Sequence, residues 1–391
     1  MNYRNLSLIL TRAATGLNRF RVTAGSAAES RSYYTTTLTR KTLYSKICPL
    51  GDPGITVVPE LDKWVENGRK VSVAELQRII HDLRKRKRFS QALQVSEWMN
   101  EKGICIFSTA EHAVQLDLIG KVHGYEAAER YFRKLKDEDK NAKTYGALLN
   151  CYVRQNLVDK ALFHFQKMKE MGFASPLAYN SIMRLYNNLE QHAKVPDVLV
   201  EMKSNNVSPD NYSYRICITS FGEKGDIEGM KQVLEEMEGQ DHIVMDWTTY
   251  AVVANFYIKA GQTEQAISAL QKSEKRLALE NGDGVAYNHL ISLYAKIGNL
   301  SEVLRLWDSE KQACKRYLNR DYMNMLKSLV RLGALEEAEK VLKDWDSSSN
   351  YYDARLPQLV IDGYSEKGLV EKAKSLIDDL QKKGKEGPQT V

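Results

Sequence analysis

The sequence predicts an all-α fold in which about nine helical hairpins stack into a solenoid. Three observations carry that expectation. Within residues 176–210, Tyr179, Ile182, Met183 and Tyr186 fall at i, i+3, i+4 and i+7, one face of a helix. A polar break at residues 187–191 separates them from a second apolar stripe, Val195, Val198, Leu199 and Met202, and Asn206 and Pro209 act as stop signals. A lone hairpin cannot bury both stripes. Next, tyrosine recurs at 145, 179, 214, 250, 287 and 322, in steps of 34, 35, 36, 37 and 35 residues, a period typical of helical repeat arrays. Finally, two further columns hold the same register. One is aromatic or aliphatic: Leu83, Ile119, Tyr152, Tyr186, Phe221, Tyr257, Tyr294, Leu329 and Tyr364. The other is mostly small, which lets two helices approach closely: Ala92, Ala128, Ala161, Val195, Met230, Ala266, Val303, Ala338 and Ala373. Glycine at 225, 261, 298, 333 and 368 is placed to end the first helix of five units.

Taken in order, residues 1–40 stand apart from the rest. They carry Arg4, Arg12, Arg19, Arg21, Arg31 and Arg40, many Ser and Thr, and Glu29 as their one acid. That is the composition of an organelle transit peptide. The context Arg31-Ser32-Tyr33 resembles a matrix-peptidase cleavage site, which implies a targeting segment over 1–33 and a mitochondrial matrix destination. Residues 34–58 lack a helical period and contain Pro49, Gly51, Pro53 and Gly54, so they read as linker. Pro59 then opens a capping helix over 59–72 with Leu61, Trp64 and Val65 on one side. Ser72 and Glu75 have capping-box spacing before the first unit. The units follow at 73–108, 109–141, 142–175, 176–210, 211–246, 247–283, 284–318, 319–353 and 354–388. The basic run at residues 84–88 reads as a solvated turn. Pro196, costly inside a helix, fits if the helix starts near Val195.

Charge does not by itself announce a nucleic-acid protein. The formal net charge is +6, of which residues 1–33 supply +4, leaving +2 for the remainder (51 basic against 49 acidic residues). Any such role rests on where the charges sit. No apolar run approaches the length of a membrane span. The five cysteines are scattered and form no C-x-x-C pair, as expected for thiols in a reducing compartment. The sequence contains no Gly-rich phosphate loop and no H-E-x-x-H, and its seven histidines are spread over six units. The chain therefore reads as a non-enzyme, without cofactor, metal site or small-molecule substrate.

The repeats resemble the pentatricopeptide repeat rather than the tetratricopeptide repeat. The eighth position is Ile80, Leu116, Leu149, Met183, Ile218, Ala254, Ile291, Leu326 and Ile361, never the small glycine of the latter family. Tyr179-Asn180, Met202 and Pro209-Asp210 match the pentatricopeptide pattern, as does Tyr287-Asn288-His289-Leu290-Ile291. The stretches WVENGRK, SEWMNEKG, LDLIGKVHG and TYGALLNCYV further resemble a plant subgroup of short, organelle-directed members of its P class. The resemblance implies a right-handed α-solenoid that binds RNA.

It also implies which residues would touch the RNA. In such arrays each repeat reads one base with two or three side chains. In this family the fifth and last residues of a unit face the base edge, and the second lies on the base face. Carried over, unit 176–210 supplies Asn180 and Asp210, a combination the family uses for uracil, with Leu177 as apolar wedge. Asn288 is the corresponding amide of unit 284–318, paired by position with Leu318. Other pairs, such as Ala113 with Asn141 and Met323 with Asp353, offer poorer chemistry, and Lys143 and Arg320 replace the apolar wedge. The thirteenth position is basic in six units, as Lys85, Lys121, Arg154, Lys259, Lys296 and Arg331. In the family it tends to reach the backbone, so a row of cations could follow successive phosphates. The same residues close the first helices, where cations favour the macrodipole. The expected role is organellar RNA binding that acts sterically in RNA processing, stability or translation. The alternative is a scaffold within an assembly such as the mitochondrial ribosome, holding structured RNA or protein.

Overall fold

The computed structural model describes residues 42–50, 52, 54–279, 284–314, 317–348 and 352–385. The expected targeting segment, 1–33, lies outside the described residues. The described part holds twenty α-helices, two short 3-10 turns and no strand. It divides into two compact units, one inside Ser32–Ile243 and one inside Val244–Val391.

The first unit starts with α1 (Leu43–Ile47) and α2 (Val58–Glu66). Five hairpins follow: α3 (Val73–Lys85) with α4 (Phe89–Glu101), α5 (Thr109–Val122) with α6 (Tyr125–Lys134), α7 (Ala142–Arg154) with α8 (Val158–Glu170), α9 (Pro176–Asn188) with α10 (Val195–Ser204), and α11 (Asn211–Glu223) with α12 (Ile227–Glu238). First helices lie side by side, α5 on α7, α7 on α9 and α9 on α11. Each second helix covers the joint to the next hairpin, as α8 does against α9 and α10 against α11.

The second unit repeats the scheme with four hairpins. They are α13 (Trp247–Lys259) with α14 (Thr263–Leu279), α15 (Gly284–Lys296) with α16 (Leu300–Ala313), α17 (Asn319–Leu332) with α18 (Leu335–Ser348), and α19 (Arg355–Glu366) with α20 (Val370–Lys385). Here α13 packs on α15, α15 on α17 and α17 on α19.

The columns read from the sequence line the core, although Tyr186, Phe221 and Tyr287 are only half-buried. All nine residues of the small column, from Ala92 to Ala373, are 0% exposed. Tyr179, Tyr214, Tyr294 and Tyr364 are among the largest fully buried side chains. Their hydroxyls are hydrogen-bonded, as burial demands. Tyr214 donates to Glu236 at 2.8 Å, Tyr294 to Glu274 at 2.6 Å and Tyr364 to Glu339 at 2.7 Å. Each acceptor lies on the second helix of a hairpin, so these tyrosines tie the two helical layers together.

Helix ends follow the capping rules. Ser72, Ser108, Asn141, Asp210 and Asp246 cap first helices through their side chains. Pro196 sits in the first turn of α10, after a 3-10 turn at His192–Lys194. Gly225, Gly261, Gly298, Gly333 and Gly368 all take the left-handed backbone that ends a first helix. In earlier hairpins Lys87, Asn156 and Glu190 hold the same place with φ of 60°, 54° and 58°.

Three local expectations need correction. Residues 34–58 are not linker throughout, because α1 lies within them and buries Leu43, Ile47 and Cys48. The Tyr44 hydroxyl bonds to Asp82 on α3. The run at 84–88 is not simply solvated: Arg88 Nη1 donates to the carbonyls of Cys48 at 2.7 Å and Leu50 at 3.1 Å, holding the end of α1. On α2 only Leu61 reaches the core, while Val65 is exposed and Trp64 is half-buried beneath Arg69. Among the described residues no helix is long and apolar enough to cross a membrane.

Candidate nucleic-acid interface

The face of α9 carries Leu177, Asn180 and Arg184, spaced i, i+3 and i+7 along one stripe. Leu177 is 60% exposed although apolar, whereas Asn180 is buried. Asn180 Nδ2 donates to Asp210 Oδ1 at 3.1 Å. Asp210 is the N-cap of α11, and the same oxygen accepts from Ser213 N at 2.8 Å. Burial raises the Asp210 pKa, but the hydrogen bonds from Ser213 and Asn180 outweigh it and hold the carboxyl below its ordinary value. The donor side of the amide is thereby fixed. Asn180 Oδ1 is buried and has no hydrogen-bond partner among the described residues. A buried acceptor without a donor is costly unless a ligand supplies one.

Beside this stripe lies a groove of about 760 Å³ whose lining includes Arg84, Lys121, Lys143, Arg154, Leu177 and Arg184. Lys121 and Arg154 do not stand as independent members of a row. Both converge on Asp117, Lys121 Nζ at 2.8 Å and Arg154 Nη1 at 3.3 Å, and Arg84 Nη2 joins them at 3.0 Å. Burial raises the Asp117 pKa, yet Lys121 and Arg84 hold the carboxyl below its ordinary range. Three cations on one anion leave a net positive, pre-oriented cluster. Asp117 and Arg84 carry no repeat signature of their own. A cross-hairpin search for acids flanked by column cations is the signal that would have found them.

In the second unit Asn288 does not pair with Leu318. Leu318 is 49% exposed and offers an apolar side chain. Asn288 Nδ2 donates instead to Asp321 Oδ1 at 2.8 Å, to Gly284 O at 2.6 Å and, at 3.3 Å, to Glu310 Oε1. Asp321 lies in the first turn of α17, where its other oxygen accepts from Leu318 N at 2.9 Å. Positional reading missed Asp321 because the carboxylate has moved from the N-cap to one turn inside the helix. Asn288 Oδ1, like Asn180 Oδ1, is buried without a partner among the described residues.

Lys259, Lys296 and Arg331 occupy the last turns of α13, α15 and α17. Lys259 lies over the Phe256 ring, 4.9 Å from its centre, and Lys296 Nζ donates to Asn255 Oδ1 at 2.8 Å. Burial lowers the Lys296 pKa, and the charges of Arg331 and Lys259 lower it further. Lys296 thus feels like charge from both of its column neighbours.

Comparison with known proteins agrees with this architecture. The PPR repeat family model matches residues 174–223, and the PPR repeat model matches 143–173, 212–242, 285–309, 321–349 and 359–384. A mitochondrial pentatricopeptide repeat-containing protein of Arabidopsis thaliana is 57% identical over 370 residues, 94% of this chain and 75% of that protein. A second mitochondrial one from the same plant is 38% identical over 343 residues, 88% of this chain and 70% of its own length. Among solved structures, the pentatricopeptide repeat protein PPR10 in complex with an 18-nt psaJ RNA element superposes with a TM-score of 0.60 at 20% identity, covering 84% of this chain and 48% of that one. The relatives' identity and coverage, together with the matched repeats, establish that the chain belongs to the pentatricopeptide repeat family.

Proposed function

We propose that the protein binds single-stranded RNA in the mitochondrial matrix and acts sterically, protecting or positioning a transcript without chemistry of its own. The carrying observation is the Asn180–Asp210 pair: a carboxylate-fixed amide with a buried, unpartnered oxygen, one turn from an exposed leucine. An amide so held presents an acceptor to a base edge, and Leu177 offers an apolar face for the base to lie on. The cluster of Arg84, Lys121 and Arg154 around Asp117 is suited to the backbone, and Lys259, Lys296 and Arg331 to phosphates in the second unit. The PPR10 structure of shared fold was solved with RNA, and the two Arabidopsis relatives are mitochondrial by name, which supports this reading. Uracil is the base expected at Asn180.

The test is selection of a randomised single-stranded RNA pool by the full chain, with a duplex RNA as competitor. Enrichment of a short motif that the duplex does not displace supports the proposal. Failure to bind free RNA, together with co-sedimentation with mitochondrial ribosomal subunits, assigns the chain to a scaffold role instead. A reporter fused behind residues 1–40 should enter mitochondria; a cytosolic reporter counts against the location.

A further inference from the structure

The Asn288 amide is held by a second route. On α9 the anchoring carboxylate is the N-cap residue of the next first helix, Asp210. On α15 the residue at that N-cap is Leu318, which has no side-chain acceptor, and the carboxylate comes from Asp321, three residues further on. Asp321 is buried, at 3% exposure. Its Oδ2 takes the Leu318 N–H and its Oδ1 takes the Asn288 amide, so one carboxyl both closes the helix start and turns the amide. Arg320 Nε donates to the same Oδ1 at 3.2 Å, which fixes the guanidinium beside it.

The remaining donor capacity of the amide is also taken. Gly284 O and Glu310 Oε1 both face Nδ2. Glycine at 284 is what allows this approach, since a Cβ there would come within 2.9 Å of Glu310 Oε1. With its N–H groups engaged, Asn288 has only Oδ1 left to offer, and that atom is buried and unpartnered among the described residues. A cavity of about 450 Å³ adjoins it, lined by Val285, Asn288, Ser292, Arg320 and Asn324 among others. Val285 is 49% exposed and takes on α15 the place Leu177 takes on α9. An aliphatic face and a pinned guanidinium plane are both surfaces on which a base stacks.

We propose that Asp321, rather than residue 318, is the second determinant of base choice at the hairpin α15/α16. The site then takes a nucleotide whose Watson–Crick edge donates an N–H to Asn288 Oδ1, the same base that the Asn180–Asp210 pair selects. This rests on the RNA-binding reading above. Leu318 plays no part in the choice, and Glu310 acts as a positioning residue that keeps the amide oriented as an acceptor.

The experiment repeats the single-stranded pool selection with variants of the full chain, each checked by its melting curve. Asn288→Ala identifies the column of the motif that this hairpin reads. Asp321→Asn keeps an acceptor for Leu318 N but removes the charge, and should cut base preference in that column about tenfold. Leu318→Ala should leave that column unchanged. The double variant Leu318→Asp with Asp321→Asn moves the carboxylate to the N-cap and should restore the preference. The proposal is overturned if Leu318→Ala alone relaxes the column, if Asp321→Asn leaves it intact, or if the column's base differs from that read by Asn180. A wild-type chain that enriches no motif overturns both this proposal and the RNA-binding reading. A wild-type motif with no column responding to Asn288→Ala overturns this one alone.

Discussion

Asn180 Nδ2 and Ser213 N converge on a single oxygen of Asp210, at 3.1 Å and 2.8 Å, so the residue that starts α11 also orients an amide on α9. Capping and recognition can be separated by substitution. Asp210→Asn keeps a good N-cap, and its melting curve should stay close to that of the wild type. Asp210→Ala removes the cap and should cost about 0.5–2 kcal/mol, read by denaturant titration. Both should relax the base selected at the Asn180 column, because neither leaves an anion to hold the amide. An Asp210→Asn protein with undiminished base preference would reduce the carboxylate to a cap.

The ends of the first helices offer a stability test. Glu190 sits in the left-handed region with φ 58°, where five later hairpins have glycine. The steric cost for a side chain there is about 1–2 kcal/mol, and the added unfolded-state freedom of glycine returns roughly 0.5–1 kcal/mol of it. Glu190→Gly should therefore stabilise by about 0.5–1 kcal/mol, seen as a raised melting temperature. A lowered one would mean that the Glu190 side chain contributes contacts outweighing the strain.

Much of this fold was legible because its core repeats. The small column from Ala92 to Ala373 and the buried tyrosines 179 and 214 follow from periodicity alone, since each hairpin buries the same stripe. Pro196 could be placed because proline tolerates one end of a helix only. Helix α1 escaped notice because five residues are too few to show a period. The site was legible where partner and position coincide, as at Asn180 and Asp210. It was not legible at Asn288, because a carboxylate at the third residue of a helix reaches the same point as one at its N-cap. The hub at Asp117 was hidden for a related reason: it joins Arg84, Lys121 and Arg154 from three hairpins, and no single unit contains it.

The second-unit cations can be tested together. Replacing Lys259, Lys296 and Arg331 with Gln removes mutual repulsion but also three favourable charges at helix C-termini, each typically about 0.3–1 kcal/mol. Lys296 is exposed, so solvent screens the repulsion from its neighbours, and the loss of the three charges should lower the melting temperature slightly. If the three touch phosphates, the salt dependence of RNA affinity should flatten by roughly 0.7 for each lost contact, whatever the RNA sequence. An unchanged slope with a clear loss of stability would leave the column structural.

Glu310 gives the last prediction. It is 1% exposed, and burial first, then the charge of Asp321, pushes its pKa from 4.5 up to about 8, with Arg320 opposing. Tyr287 and Tyr317 also face it, and their own pKa values are raised in part by its charge. The folded pKa is above the unfolded one, so between pH 4.5 and about 8 the folded chain holds a proton that the unfolded chain has released. Stability from this group is complete below the unfolded pKa and is lost as pH rises through the folded one. The loss amounts to a few kcal/mol, at about 1.4 kcal/mol per pH unit while it lasts. Glu310→Gln carries no such proton yet can still accept from Asn288 Nδ2. Its denaturation midpoint should therefore fall less than that of the wild type between pH 5 and pH 8.5, with the two curves diverging as pH rises. Parallel curves across that window would mean that Glu310 is ionised throughout, and that Asn288 is gripped by two anions rather than by Asp321 alone.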